Sequence, residues 1–274
     1  MQWVAYIIWS AVILCVLCAV VSYVASRRRA NLPQAAAPGC SGGQMNVALT
    51  PSVDESRWLQ LVSRCGLDPQ MLTDEPGQRL ALGVDVLGAD SSWLQGKDAA
   101  MYPCLTFHNN VAAAADFIEQ RLDSDQPLSL YAVKPAAVPL DESVYEASVV
   151  LCFVQQVQVG QQKGGRYFPV NVYWEWGYPP EQMQCRQILY LARCAGCQMV
   201  GVETDMDGIY ELLEGIAVPD CIDPTVNSVA VWSPADYALP GQDVMGLTEC
   251  HLRREQLLAL VKEKGWPCIE TETA

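Results

Sequence analysis

A long apolar run from Trp3 to Ala25, closed by Arg27, Arg28 and Arg29, limits this chain more than any other feature. At about 1.5 Å per residue it makes a helix of roughly 35 Å, enough to span the hydrocarbon core of a bilayer. Ser10 and Ser22 interrupt the run, and both hydroxyls can bond the helix's own carbonyls. The run is too long for the apolar core of a cleaved signal peptide, and its basic cluster follows the core instead of preceding it. Residues 1–29 are therefore expected to be an uncleaved transmembrane anchor with a basic flank, residues 3–25 lying in the lipid bilayer. Lys and Arg beside a span stay on the cytoplasmic side, which puts the N-terminus outside and the remainder of the chain in the cytoplasm. Trp3, Tyr6, Trp9 and Tyr23 sit towards the ends of the run, as interface-anchoring aromatics do.

The charge beyond the anchor is one-sided. The chain has 17 Lys+Arg and 31 Asp+Glu. Removing the three flanking arginines leaves 14 basic against 31 acidic residues from residue 30 onward, a net charge of −17. Such a surface repels nucleic acid and anionic lipid headgroups, which leaves protein as the expected partner class. Residues 30–44, rich in Ala, Gly and Pro without apolar periodicity, read as a flexible linker. Residues 45–274 are enough for one globular domain, and no second linker divides them.

Periodicity sketches that domain. Asp54–Cys65 reads as a helix with Trp58, Leu59, Leu61 and Val62 on its apolar stripe and Gly66 ending it. Leu80–Leu87 reads as a strand and Leu105–Phe107 as a short one. Asn109 or Asn110 then caps a helix that runs through Leu122. Leu128–Val133 is a further strand. Val149–Val159 and Arg166–Trp176 form a hairpin joined across Gly160–Gly165. In its second arm Phe168, Val170, Val172, Trp174 and Trp176 share one face. Pro179 and Pro180 open a helix spanning Glu181–Arg193. A strand at Cys197–Val202, a short helix near Gly208, a strand at Val226–Trp232 and a helix at Glu249–Lys264 complete the pattern. A hairpin mixed with β–α alternation predicts an α+β fold, that is, mixed α/β with an antiparallel hairpin.

Three constellations bear on chemistry. Glu203, Asp205 and Asp207, followed by Gly208, resemble the spacing of a calcium loop. The strand expected before them stands where an EF-hand needs a helix. Carboxylates just past a strand end can instead hold Mg2+ or Ca2+ at the edge of an open sheet, or simply cap the next helix. Cys194 and Cys197 form a CxxC thiol pair, but at a helix C-terminus, where the dipole opposes thiolate formation. Zinc would need four regularly spaced ligands, and Cys185, Cys194, Cys197 and Cys221 lack that spacing. His108 and His251 are the whole histidine supply, and neither accompanies a nucleophile motif.

No catalytic residue and no resident cofactor are assigned. The function expected is a membrane-anchored accessory or adaptor domain that binds a protein partner through its acidic surface. Trp174, Trp176 and Tyr178 are the candidate contacts, since aromatics anchor interfaces. The alternatives are a divalent-metal-dependent enzyme built on Glu203, Asp205 and Asp207, with Glu203 as third ligand or base, and a CxxC thiol protein.

Overall fold

A computed structural model describes residues 52–122, 126–222, 230–241 and 251–268. The expected anchor at 1–29 and linker at 30–44 lie outside the described residues, as do most of the strand expected at Val226–Trp232 and residues 249 and 250 of the last helix. Among the described residues no helix is long and apolar enough to cross a membrane.

The domain is globular and α+β, with a five-stranded mixed sheet and seven α-helices among the described residues. Strand β1 (Leu128–Pro135) pairs antiparallel with β2 (Ser148–Val159), which pairs antiparallel with β3 (Gln162–Pro169). The two-residue β4 (Trp174–Glu175) pairs with the start of β2. Strand β5 (Gln198–Thr204) lies on the other side of β1 and runs parallel to it.

Both faces of the sheet are covered, so β1 is buried except at Ser129 and β2 is buried from Ser148 to Gln155. Leu130, Ala132, Leu151 and Phe153 point to one face. There they meet α4 (Val111–Leu122), α5 (Pro179–Cys194) and α7 (Arg254–Glu263). Tyr131, Val133, Val150 and Cys152, one residue out of phase, point to the other. That face is covered by α1 (Glu55–Arg64), α3 (Ser91–Leu94) and α6 (Met206–Leu213). Strand period two sends alternate side chains into separate cores, which makes β1 and β2 read as continuous apolar runs. Each large apolar side chain buried this way contributes about 1.5–3 kcal/mol of transfer free energy.

Local chemistry sets most helix ends as expected. The Asp54 carboxylate accepts from the Arg57 N–H at 3.1 Å and starts α1, and Gly66 ends it at φ 74°. Trp58, Leu61 and Val62 are fully buried, but Leu59 is 43% exposed because it points a third of a turn away from that stripe. The Asn110 side chain accepts from the Ala113 N–H at 3.1 Å, capping α4. Helix α5 starts at the two prolines and ends in a pair of reversed bonds, Gly196 N–H to the Arg193 carbonyl and Cys197 N–H to the Ala192 carbonyl, the geometry of a glycine-terminated helix.

Five expectations are corrected. Leu80–Leu87 is helical, not a strand. Pro76 opens α2 (Pro76–Ala81), which widens into a π-turn over Leu82–Val86. The alternating Leu80, Leu82, Val84 and Val86 imitate a strand, yet the residues actually buried are Gly83 and Leu87, spaced for a helix. At Gly83 a Cβ would lie 2.5 Å from Leu94 Cδ1, so the bare backbone is what lets α3 approach. The hairpin turns on Gly160 and Gln161 alone, Val159 pairing with Gln162. Gly164 and Gly165 belong to β3: the Gly165 N–H bonds the Cys65 carbonyl at 3.0 Å, and a Cβ on Gly164 would sit 2.8 Å from that same oxygen. The second arm is also shorter than expected. The Val170 N–H still bonds the Leu151 carbonyl of β2 at 3.0 Å; the chain then turns to Leu105 through Asn171 and pairs with β2 again only at Trp174. Leu105 correspondingly forms an isolated bridge to Val170, not a strand. Finally, α7 begins at Arg254, because Arg253 is still extended (φ −64°, ψ 150°). Phe168, Val170, Val172, Trp174 and Trp176 nevertheless all enter one core, as their alternation requires.

Helix α5 carries three buried glutamines that tie the surrounding loops to the sheet. Gln184 accepts from Trp174 Nε1 at 2.8 Å and donates to the Phe107 carbonyl at 3.1 Å. Gln182 donates to the Trp176 carbonyl at 3.1 Å. Gln187 accepts from the Leu252 N–H at 2.9 Å and donates to the Leu252 carbonyl at 2.6 Å. A buried amide is retained at little cost only when its donors and acceptors find partners in this way.

Candidate functional site

Strands β1 and β5 run in parallel and end together at Pro135 and Thr204, the sheet edge where open α/β folds place ligand sites. Register puts Lys134 directly beside Glu203 there. The Lys134 Nζ lies 2.6 Å from Glu203 Oε1 and donates to the Val138 carbonyl at 2.6 Å. The second Glu203 oxygen accepts from the Ala137 N–H at 3.3 Å, and Ala137 takes an uncommon left-handed conformation at φ 59°. The Lys134 hydrogen bond holds the Glu203 carboxyl below its ordinary pKa against the opposing desolvation, and the Ala137 N–H adds to the lowering. Lys134 is buried, so this ion pair clips the loop after β1 onto the end of β5.

Asp205, the next candidate carboxylate, is the N-cap of α6 and accepts from the Gly208 N–H at 2.9 Å. Asp207 lies exposed in the first turn of that helix, where a negative charge favours the helix dipole. Glu203, Asp205 and Asp207 are thus neighbours in sequence with separate structural employment. Among the described residues no group of three or more His, Cys, Asp or Glu side chains is placed to hold a metal ion.

The two cysteines of the CxxC pair sit on either side of the helix-ending Gly196. Both are buried, and all eight described cysteines are thiols. Burial pushes the Cys197 thiol up to about 12, opposite to the direction that activates a redox cysteine. His251 is buried, and desolvation alone lowers its pKa.

The aromatic candidates divide. Trp174 and Trp176 are core residues, 0% and 1% exposed. Trp174 is bonded to Gln184 and Trp176 stacks edge-on against Tyr237 at 5.4 Å. A partner meeting this part of the surface would touch Tyr178, which is 41% exposed at the N-cap of α5, and not the two tryptophans.

Beside the same sheet edge lies a groove of about 380 Å³. The turn before β2, with Tyr145 and Glu146, forms one wall; Tyr173 and Glu175 add to the lining; Met206, Tyr210 and Leu213 of α6 form a second wall. Helical spacing produces that second wall. Positions 206, 210 and 213 recur on one stripe, while Gly208, Ile209 and Leu212 face the core. A third stripe, Asp207, Glu211 and Glu214, faces solvent. Tyr145 is 91% and Tyr210 56% exposed. Among the described residues neither Glu146 nor Glu175 forms an ion pair, and no Lys or Arg lines the groove.

Of the groove residues only Glu175 falls in the stretch expected from sequence to make contacts. Residues 145, 173 and 210 are far apart in the chain and converge through the pairing of β2 with β1 and β4, a long-range outcome that no local pattern signals. The Tyr145 turn, flanked by Asp141, Glu142 and Glu146, carries no motif that marks it as part of a groove. No protein-family model, no curated protein and no solved structure matches the chain.

Proposed function

We propose that this chain is a membrane-tethered accessory or adaptor protein whose domain, residues 45–274, binds a protein partner through an acidic surface. The supporting observation is the net charge of −17 from residue 30 onward, combined with exposed tyrosines in a groove lined in part by unpaired carboxylates. The apolar run 3–25 supplies the tether, and Arg27–Arg29 orient it with the domain in the cytoplasm. Like charge disfavours nucleic acid, anionic lipid and a second copy of the domain as partners. It favours a basic protein surface, whose approach it accelerates and whose register it sets.

Two measurements test this. Extraction in a neutral detergent at low salt is expected to yield a complex heavier than the chain, which dissociates at about 0.5 M salt as the charges are screened. A chain of its own mass at low salt would refute partner binding. A membrane-impermeant maleimide is expected to label the domain's cysteines only after cells are permeabilised. Labelling of intact cells would refute the orientation.

The metal-dependent alternative on Glu203, Asp205 and Asp207 predicts that Mg2+ or Ca2+ raises the melting temperature, since a cation bound only by the folded state must do so. The occupied Glu203 carboxylate and the capping role of Asp205 favour the binding reading.

A further inference from the structure

We infer that the groove between the Tyr145–Glu146 turn, Tyr173–Glu175 and the Met206–Tyr210–Leu213 stripe of α6 docks a basic, apolar-centred segment of a protein partner. The inference rests on the partner-binding function proposed above and assigns it a place and a recognition chemistry.

The walls are apolar and aromatic, and the charge among and beside them is anionic. Tyr145, Tyr173, Tyr210, Met206 and Leu213 offer rings and aliphatic surface to one inserted side chain. Tyrosine suits this use, because it brings a large contact area on few rotatable bonds and keeps a hydroxyl for solvent. Glu146 and Glu175 belong to the lining itself. The stripe of Asp207, Glu211 and Glu214 runs along α6 next to the Met206–Tyr210–Leu213 stripe. Two carboxylates therefore line the apolar slot and three more lie on the adjoining stripe of α6, with no basic residue in the lining.

Charge complementarity selects the occupant. An acidic segment or another copy of this domain would add like charge to those carboxylates, and an uncharged apolar segment would leave them without partners. A segment with Lys or Arg on both sides of an aromatic or aliphatic residue satisfies both parts of the site. The inserted residue supplies the anchor, and the flanking charges supply register and salt dependence. The Tyr145 and Tyr210 rings stand open to solvent, so an extended segment can lie along the slot without a change in the fold.

The test uses the full-length chain in neutral-detergent micelles, with empty micelles as the blank and fluorescence anisotropy as the readout. The probe is a labelled nonapeptide, Lys-Ser-Lys-Leu-Phe-Leu-Lys-Ser-Lys, compared with the same peptide carrying Ser in place of Leu and Phe. Tyr210→Ser, and separately the pair Glu146→Gln with Glu175→Gln, are each expected to weaken binding of the first probe about tenfold, the scale of losing one anchoring contact. The pair Glu255→Gln with Glu263→Gln removes equal charge from α7, on the opposite face of the sheet, and is expected to change binding less than about twofold. The Ser-substituted probe is expected to bind more weakly than the first and to be insensitive to Tyr210→Ser.

Groove variants that bind the first probe like the wild type would overturn the assignment. If the groove pair and the α7 pair weakened binding equally, charge alone would drive association: the acidic-surface function would stand and the groove would fall. If neither probe bound at all, the function itself would fall with it. Self-association of the chain that Tyr210→Ser abolishes would make a second copy the occupant and would also overturn the assignment.

Discussion

Gln187→Met removes one buried amide and should loosen the C-terminal helix without disturbing the sheet. Gln187 is fully buried on α5. Its Oε1 accepts from the Leu252 N–H at 2.9 Å, and its Nε2 donates to the Leu252 carbonyl at 2.6 Å and to the Pro240 carbonyl at 3.4 Å. Methionine fills similar space but leaves all three backbone groups without this partner. An orphaned buried polar group costs about 1–3 kcal/mol. The Leu252 pair is partly buried, and the third bond is long. The expected net loss is therefore about 2–3 kcal/mol, below the roughly 3–9 kcal/mol that three full orphans would give.

The loss is local, because Gln187 holds the segment entering α7, and α7 rejoins the core through Leu257 and Val261. Hydrogen exchange of the full-length chain, read by mass spectrometry, resolves it. Amides from Leu252 to Val261 should exchange roughly 30- to 140-fold faster in the variant, the kinetic equivalent of that free energy. Amides of β1 and β2 should be unchanged. Unaltered exchange over 252–261 would refute the assignment of Gln187 as the clamp. Equal acceleration across β1 and β2 would refute its local character.

Three further perturbations follow from the geometry. Gly201→Ala places a Cβ into the Trp232 carbonyl across the isolated β5 bridge, so it should cost about 1–3 kcal/mol by overpacking and deprotect the Val231 amide, which bonds the Gly201 carbonyl; an unchanged Val231 amide would contradict this. The Glu203 carboxyl is held below its ordinary pKa, so the clip on Lys134 is intact above the unfolded-state value near 4.5 and weakens as pH falls through the lower folded value. Exchange at Ala137, corrected for its intrinsic rate, should therefore rise in that acidic window, and Glu203→Gln should abolish the pH dependence. Among the described cysteines, exposed Cys268 should be alkylated first in the native chain, whereas Cys65, Cys152 and Cys185, buried and with thiol pKa raised by desolvation, should react only on unfolding; native labelling of Cys152 would contradict the core placement.

Elements with a local signature were legible in the sequence. Asp54, Asn110, Pro179 and Gly196 each begin or end a helix through a bond or a dihedral that depends on that residue type alone. The hairpin arms were legible from alternation. Leu80–Leu87 was not, because a short apolar run satisfies strand and helix periods together, and Pro76 with the Gly83–Leu94 approach decides it. Gly164 and Gly165 were assigned to a loop by composition, although the close passage of the Cys65 carbonyl is what demands glycine there. The site was legible only in its charge. Glu203 looks like a ligand in isolation, and its register partner Lys134 lies 69 positions away. Tyr145, Tyr173 and Tyr210 carry no shared motif and meet only once the sheet has formed.

The most direct test of partner binding at the groove is a photo-crosslinking amino acid placed at Tyr210 of the whole chain in the cells that make it, with the same substitution at Glu255 as the reference position. The account predicts one adduct of defined mass at position 210, absent at 255, lost with Glu146→Gln and Glu175→Gln, and mapping to a Lys- or Arg-flanked apolar segment of the partner. No adduct at 210, or equal adducts at both positions, would contradict it.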